Sequence, residues 1–203
     1  MISKNFLYFA SLLLYIIAAF FFDDNLVGLT SILFVSLLVA LIANLYPSIS
    51  SVLFIAFGLR LTFIFLGNYL VTLPDQESDA VAFESFALQF SEGGFINVFS
   101  HYPGPSSLII SWLIAIFYSL FGQSLIMAQA ISLLFGIGSV FMGWLVAIEL
   151  WDKRTAIKIA WVLALFPSFV LYSCLVLREA YILFFLLLAL YGIVKWARTD
   201  KIK

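Results

Sequence analysis

The chain has 203 residues, of which 65% are hydrophobic and 10% are charged, whereas soluble domains carry roughly 45–50% apolar and about 25% charged residues. This composition identifies an integral membrane protein. The 10 basic and 11 acidic residues nearly cancel and form no basic patch, which excludes nucleic-acid binding. The single cysteine, Cys174, excludes an internal disulfide and a CxxC metal or redox motif, and its apolar surroundings favour a packing role.

Six apolar segments have the length and hydrophobicity expected of membrane spans. They cover residues 6–22, 26–46, 52–73, 124–150, 156–175 and 180–196. Pro167 predicts a kink in the fifth segment, because proline cannot continue the hydrogen-bond pattern of a helix. Arg60 lies within the first three turns of the third segment, and we expect its long side chain to snorkel to the membrane interface.

Residues 105–121 are also apolar, but a helix of this length measures about 26 Å, slightly less than the ~30 Å hydrocarbon core. They either cross the membrane or lie in its interface, where Trp112 and Tyr118 are suited. If they do not cross, eight basic residues share the cytoplasmic side, as the positive-inside rule requires. These are Lys4, Lys153, Arg154, Lys158, Lys195, Arg198, Lys201 and Lys203. If they cross, the best arrangement places the N terminus outside, and of these eight residues only Lys4 is then absent from the cytoplasmic side.

The charge distribution therefore favours an all-α integral membrane protein with six transmembrane helices and cytoplasmic N and C termini. Two juxtamembrane helices lie in the long external loop of this arrangement. The arrangement also brings Asp79 and the pair Arg178-Glu179 to the same, external side of the membrane.

The loop of residues 74–107 is the longest polar interruption and holds the only histidine, His101. Four apolar residues in it recur at the spacing of one helical stripe: Phe83, Phe86, Ala87 and Phe90. This pattern predicts a short amphipathic helix over residues 79–92. Asp79 stands at its N-terminal end, where a carboxylate either caps the helix or takes a proton from an acceptor hydroxyl.

Arg178 and Glu179 form the second candidate group, in the short break before the last span. They are either a local ion pair of little energetic worth or a phosphate-binding guanidinium beside a carboxylate that orients an acceptor. A divalent cation held by Asp75, Asp79 and Glu179 is a further interpretation, because hard cations prefer carboxylate ligands.

Several short motifs follow one another in an order that carries more information than any one of them. They are Ser78-Asp79-Ala80, Ala87, Glu92-Gly93-Gly94, His101-Tyr102-Pro103, Leu120-Phe121-Gly122-Gln123-Ser124, Glu149-Leu150-Trp151-Asp152-Lys153-Arg154, Phe166-Pro167-Ser168, Leu171-Tyr172-Ser173 and Arg178-Glu179. Over about residues 52–192 this set resembles the N-terminal module of GT-C fold glycosyltransferases. The resemblance is greatest to the family 39-like bacterial enzymes related to protein mannosyltransferases.

The resemblance implies a division of the chain and a set of site residues. Residues 1–50 become two N-terminal spans, and residues 51–203 become a GT-C-like module with external loops 74–123 and 176–180. Asp79 and Glu179 match the catalytic acidic positions of the two loops, and His101 matches the start of the family's His-Pro-Pro segment. Together with the residue patterns above, this makes Asp75, His101, Tyr102 and Arg178 the candidate substrate-binding residues, and Asp79 and Glu179 the candidate ligands if a divalent cation binds.

The resemblance also implies a function. Such enzymes transfer a sugar from a polyprenyl-phosphate donor to an acceptor on the external face of the bacterial inner (plasma) membrane. The chain is then such a glycosyltransferase, or the N-terminal half of one that a second subunit completes. The alternative is a non-catalytic membrane subunit or truncated homologue that binds a lipid-phosphate carrier or a partner protein.

Overall fold

The structure, a computed structural model, describes residues 26–198, and this part of the chain contains helices and no strands. In chain order the helices are α1 (Leu26–Leu45), α2 (Ser50–Tyr69), a π-helical turn (Gln76–Ala80), α3 (Val81–Ser91), α4 (Phe95–Ser100), α5 (Ile109–Phe121), α6 (Leu125–Leu150), α7 (Lys153–Leu165), α8 (Pro167–Tyr172) and α9 (Glu179–Arg198). Among the described residues, α1, α2, α6 and α9 are long and apolar enough to cross a membrane. The predicted span over residues 6–22 lies outside the described residues.

Helix α6 is the centre of the bundle and packs against α1, α2, α7 and α9. Two glycines let α6 approach neighbouring segments closely, as is usual where membrane helices pack. A Cβ built on Gly136 would overlap the Cβ of Ser173, and one built on Gly143 would overlap the side chain of Leu163. The remaining contacts form one apolar core that includes Leu53, from α2, among its buried members.

Polar contacts show which helix ends lie together. Asn68, near the end of α2, donates a 2.6 Å hydrogen bond to Gln129, near the start of α6. Ser132 of α6 and Tyr181, at the start of α9, are hydrogen-bonded at 3.0 Å. The end of α2 and the starts of α6 and α9 therefore share one end of the bundle, which we call the loop end. The chain between α2 and α6 leaves and re-enters the bundle at this end.

The opposite end of the bundle carries basic residues, and we call it the basic end. Lys195 of α9 pairs with Glu149 of α6 at 2.6 Å, and Arg198 lies 3.8 Å from the same carboxylate. The chain must therefore return from Glu149 at the basic end to Glu179 at the loop end. Helices α7 and α8 cover this path together, although neither is long enough to cross alone, with 13 and 6 residues.

The expected kink at Pro167 is a complete break between α7 and α8, and it explains the position of Arg60. Proline has no N–H group, so backbone carbonyls in the last turn of α7 lose their helical partners. Arg60 donates to two of them, at 3.0 Å to Ala164 and 3.4 Å to Leu163. The snorkelling prediction for Arg60 is wrong, because its side chain is fully buried at 0% exposure.

The loop between α2 and α6 contains the predicted amphipathic helix, formed by the π-helical turn and α3, with Ala87 fully buried. Helix α5 has 13 residues, about 20 Å of length against a ~30 Å hydrocarbon core. It packs on α3 and on the short helix α4, which the sequence did not predict.

Candidate active site

The turn that carries Asp79 differs from the prediction at one point. The helical chain starts at Gln76, three residues earlier than expected, and Asp75 precedes it in the left-handed region with φ 63°. Asp79 therefore lies inside the turn, and the capping role predicted for it is wrong. The residues at the cap positions are Asp75 for the π-helical turn and Ala80 for α3, and neither side chain accepts a hydrogen bond from the helix N-terminus. The exposed carboxylate of Asp79 is left available for another role.

Gln76 ties the Asp79 turn to the end of α2. Its Nε2 donates to the carbonyl oxygen of Gly67 at 3.0 Å, and its Oε1 accepts from the N–H of Leu73 at 2.9 Å. A Cβ built on Gly67 would lie 3.1 Å from this Oε1 and 2.8 Å from Leu73 Cδ1, so the absent side chain makes room for the contact. These bonds fix where the turn leaves the bundle.

Ala80 joins the same turn to the second loop. It forms a small buried cluster with Leu175 and Leu177, which are 1% and 4% exposed. Leu177 directly precedes Arg178 and Glu179. The residue after Asp79 thus packs against the segment that leads into the second candidate group, although the two lie about a hundred residues apart in sequence.

Arg178 and Glu179 form an ion pair in which Nε of Arg178 lies 3.5 Å from Oε1 of Glu179, and the side chains are 48% and 41% exposed. The second carboxylate oxygen, Oε2 of Glu179, is buried and accepts no hydrogen bond from the described residues 26–198. A buried acceptor without a donor is uncommon in folded proteins. The pair therefore combines a partly exposed guanidinium with a buried carboxylate oxygen that has no donor among the described residues.

Helix α5 holds α3, and with it the Asp79 turn, through two hydrogen bonds. Ser111 donates to the carbonyl oxygen of Phe83 at 2.7 Å, and the hydroxyl of Tyr118 donates to Glu84 at 3.3 Å. Burial raises the pKa of Glu84, and hydrogen bonds from Tyr118 and Gln123 oppose this change. The contact of Glu84 with α5 depends on how the two helices pack, so no local sequence pattern indicates it.

His101 and Tyr102 lie at the other end of α3. Nδ1 of His101 lies 2.9 Å from the carbonyl oxygen of Asn97, and its ring stacks on Phe90 at 6.1 Å between centroids. Tyr102 meets the ring of Trp112 edge-on at 5.1 Å. Phe90 is about 16 Å along the helical axis from Asp79, at 1.5 Å of rise per residue. The described contacts of the two residues are thus local to α3, α4 and α5.

A metal site would require several ligands to converge. Within residues 26–198, no group of three or more His, Cys, Asp or Glu side chains is arranged to hold a metal ion. The site in which Asp75, Asp79 and Glu179 together hold a cation is therefore not formed in the described residues. A cation between Asp79 and Glu179 alone stays a prediction.

The chain matches the family model described as dolichyl-phosphate-mannose-protein mannosyltransferase over residues 105–203. No curated protein and no solved structure matches the chain. The matched region contains Arg178 and Glu179 and begins after Asp79 and His101. Residues 105–203 of this integral membrane chain are therefore similar to part of the mannosyltransferase-related glycosyltransferases of GT-C type.

Proposed function

We propose that the protein is a membrane glycosyltransferase that transfers a sugar from a polyprenyl-phosphate donor to an acceptor hydroxyl on the external face of the membrane. One observation carries this proposal. Ala80 packs on Leu175 and Leu177, which brings the Asp79 turn against the segment that precedes Arg178 and Glu179. The family match over residues 105–203 supports the reaction class.

In the proposed reaction the acceptor oxygen attacks the anomeric carbon of the sugar. The bond from that carbon to the phosphate oxygen breaks, and polyprenyl phosphate leaves with the bonding electrons. Asp79 takes the acceptor proton, as an exposed carboxylate on a fixed turn can do. Arg178 stabilises the charge on the departing phosphate, and the partly exposed carboxylate of Glu179 orients the acceptor. Asp75, at the start of the same turn, is a further substrate contact in this proposal.

The proposed orientation places the loop end outside and the basic end in the cytoplasm. Lys153, Arg154, Lys195 and Arg198 then lie on the cytoplasmic side, as the positive-inside rule requires. The same orientation puts α4 and α5 at the outer interface, where the exposed side chains of Ile96, which is 87% exposed, and its neighbours contact lipid. If residues 6–22 form a further span and α7 and α8 together form another, this orientation matches the six-span arrangement predicted from the sequence.

The function is tested by replacing Asp79 with Asn in the full chain, reconstituted in vesicles with radiolabelled polyprenyl-phosphate mannose and membrane-derived acceptors. The substitution keeps the size of the side chain and removes its ability to take a proton. We expect the rate of sugar transfer to fall by about 10²-fold or more, while membrane insertion and thermal unfolding stay as in the wild type.

Glu77→Gln is the matched control, because Glu77 is an exposed carboxylate on the same π-helical turn. It should transfer at the wild-type rate. Equal activity of the Asp79→Asn variant and the wild type would refute Asp79 as the base. An absence of transfer by the wild type with this donor would favour a non-catalytic lipid-binding subunit.

A further inference from the structure

Arg60 is the largest fully buried side chain of the described residues, and all its polar contacts are with neutral oxygen atoms. Besides the carbonyls of Leu163 and Ala164, it donates from Nε to the hydroxyl of Ser173 at 2.8 Å. Its Cζ lies 5.3 Å from the centre of the Phe169 ring. One guanidinium thus connects α2 with the end of α7, with α8 and with the residue that follows α8.

The backbone of Arg60 holds the next residue as well. The thiol of Cys174 lies 3.3 Å from the carbonyl oxygen of Arg60 and 2.9 Å from that of Val170, and its single hydrogen can be donated to either or shared between them. Gly136 of α6 closes the other side, where a Cβ would overlap Ser173. Ser173 and Cys174 are therefore enclosed between α2 and α6, in a place where the chain is no longer helical.

From this enclosed point only a short segment leads to the candidate active site. Leu175, Val176 and Leu177 are buried, and Leu175 and Leu177 form the contact with Ala80. The position of Glu179 relative to Asp79 then depends on where residues 173–177 are held. Arg60, which belongs to α2, is hydrogen-bonded to both Ser173 and Cys174 at the start of this segment.

We propose that Arg60 is a positioning residue that fixes residues 173–177, and through them Arg178 and Glu179, against the Asp79 turn. A planar guanidinium suits this task, because it can bind the two carbonyls of the broken helix and the hydroxyl of Ser173 at the same time. The effect on sugar transfer rests on the proposed function, whereas the effect on residues 173–177 does not.

Cys174, the only cysteine of the chain, is a natural reporter of this segment. In the purified full chain, a maleimide should label the buried wild-type thiol slowly. Arg60→Met should raise the rate at least about tenfold, the factor that corresponds to losing one hydrogen bond to a charged group. Arg60→Lys keeps the cation and loses the planar fork, so its rate should lie between the two.

Two further variants keep the test decisive if Arg60→Met does not fold. Ser173→Ala removes one of the contacts and should raise the labelling rate by a smaller factor. Lys158→Met removes an exposed cation of α7 and should leave the rate unchanged. The proposal is overturned if Arg60→Lys and Ser173→Ala label at the wild-type rate, or if Lys158→Met labels as fast as they do.

Sugar transfer provides a separate measurement. Arg60→Met should lower kcat per folded molecule, and Arg60→Lys should recover part of the loss. Because Arg60 acts through the segment that holds Glu179, Arg60→Lys and Glu179→Gln should be non-additive in kcat. Additive effects would refute the link to Glu179. If the wild type transfers no sugar while the labelling pattern is as expected, the proposed function fails and the positioning role stands.

Discussion

Glu84 is a carboxylate whose environment links the stability of the loop to pH. It is half-buried between α3 and α5, where Tyr118 and Gln123 face it, and burial raises its pKa above the ordinary 4.5. Below pH 4.5 the carboxyl is protonated in the folded and the unfolded chain. As pH rises through the raised folded value, the folded chain must bury a charge, and stability is lost.

We therefore expect Glu84→Gln to reduce the loss of folding stability that accompanies this rise in pH. The amide still accepts a hydrogen bond from Tyr118 and carries no charge at any pH. The measurement is the thermal unfolding midpoint of the detergent-solubilised chain from pH 4 upward. The wild type should lose stability relative to Glu84→Gln as pH rises. Glu92→Gln, at the exposed end of α3, is the control and should follow the wild type, and a constant difference between Glu84→Gln and the wild type would contradict the prediction.

Single residues were the hardest features to predict, because their partners are distant in sequence. The depth of Arg60 in its apolar segment was consistent with snorkelling, and only the fold brings it to carbonyls that Pro167 leaves without partners. Asp79 had the spacing of a helix cap, but a π-helical turn starts before it. Its possible role as a base stays a prediction from sequence.

At the scale of elements, the contact between α6 and the segment after α8 can be tested with glycine. Gly136→Ala would place a methyl group onto the Cβ of Ser173 and beside Arg60. Neither neighbour can move freely, since Ser173 is enclosed by hydrogen bonds. We expect the variant to be destabilised by about 1–3 kcal/mol, as overpacking of a core commonly is, measured as a lower thermal unfolding midpoint.

Two other glycines provide the comparison. Gly58 of α2 has open space where a Cβ would be, so Gly58→Ala should be neutral or stabilising, by up to about 1 kcal/mol. Gly143→Ala would meet the flexible end of the Leu163 side chain and should cost less than Gly136→Ala. A rank order in which Gly136→Ala is the mildest of the three would contradict the packing described for α6.

The helices that could be predicted from the sequence are those whose position depends mainly on backbone hydrogen bonding. Four of the predicted spans have long apolar helices, because only a helix satisfies its own backbone in lipid. Pro167 marked the break between α7 and α8, because proline has no N–H group to continue the hydrogen bonds of a helix. Helix α4 was not predicted, since six residues are too few to show a period. The orientation of α5 is set by its contacts with α3, and these contacts cannot be inferred from the local sequence of either helix.

For the whole molecule, the separation of charges between the two ends of the bundle is the main determinant of orientation. Asp75, Asp79, Arg178 and Glu179 lie at the loop end, while Lys195 and Arg198 lie around Glu149 at the basic end. Positively charged loops are retained in the cytoplasm during insertion. We therefore expect the proposed active site to face outward, and α5 to begin and end on the outer side.

This orientation can be tested with single cysteines introduced into a Cys174→Ser chain. Ser106 precedes α5, Gln123 follows it, and Lys153 lies at the start of α7; all three are exposed. An impermeant maleimide applied to intact cells should label Ser106→Cys and Gln123→Cys. It should label Lys153→Cys only after the membrane is permeabilised, because Lys153 lies beyond the end of α6 at the basic end.

The comparison of Ser106→Cys with Gln123→Cys decides the path of α5. Asn68 near the end of α2 is hydrogen-bonded to Gln129 near the start of α6, so the loop between these helices has both its ends at one end of the bundle. Both cysteines should therefore behave alike, whichever end faces outward. Labelling of only one of them in intact cells would mean that α5 crosses the membrane, and it would contradict the six-span arrangement. Labelling of Lys153→Cys alone would reverse the orientation and place Asp79 and Glu179 in the cytoplasm.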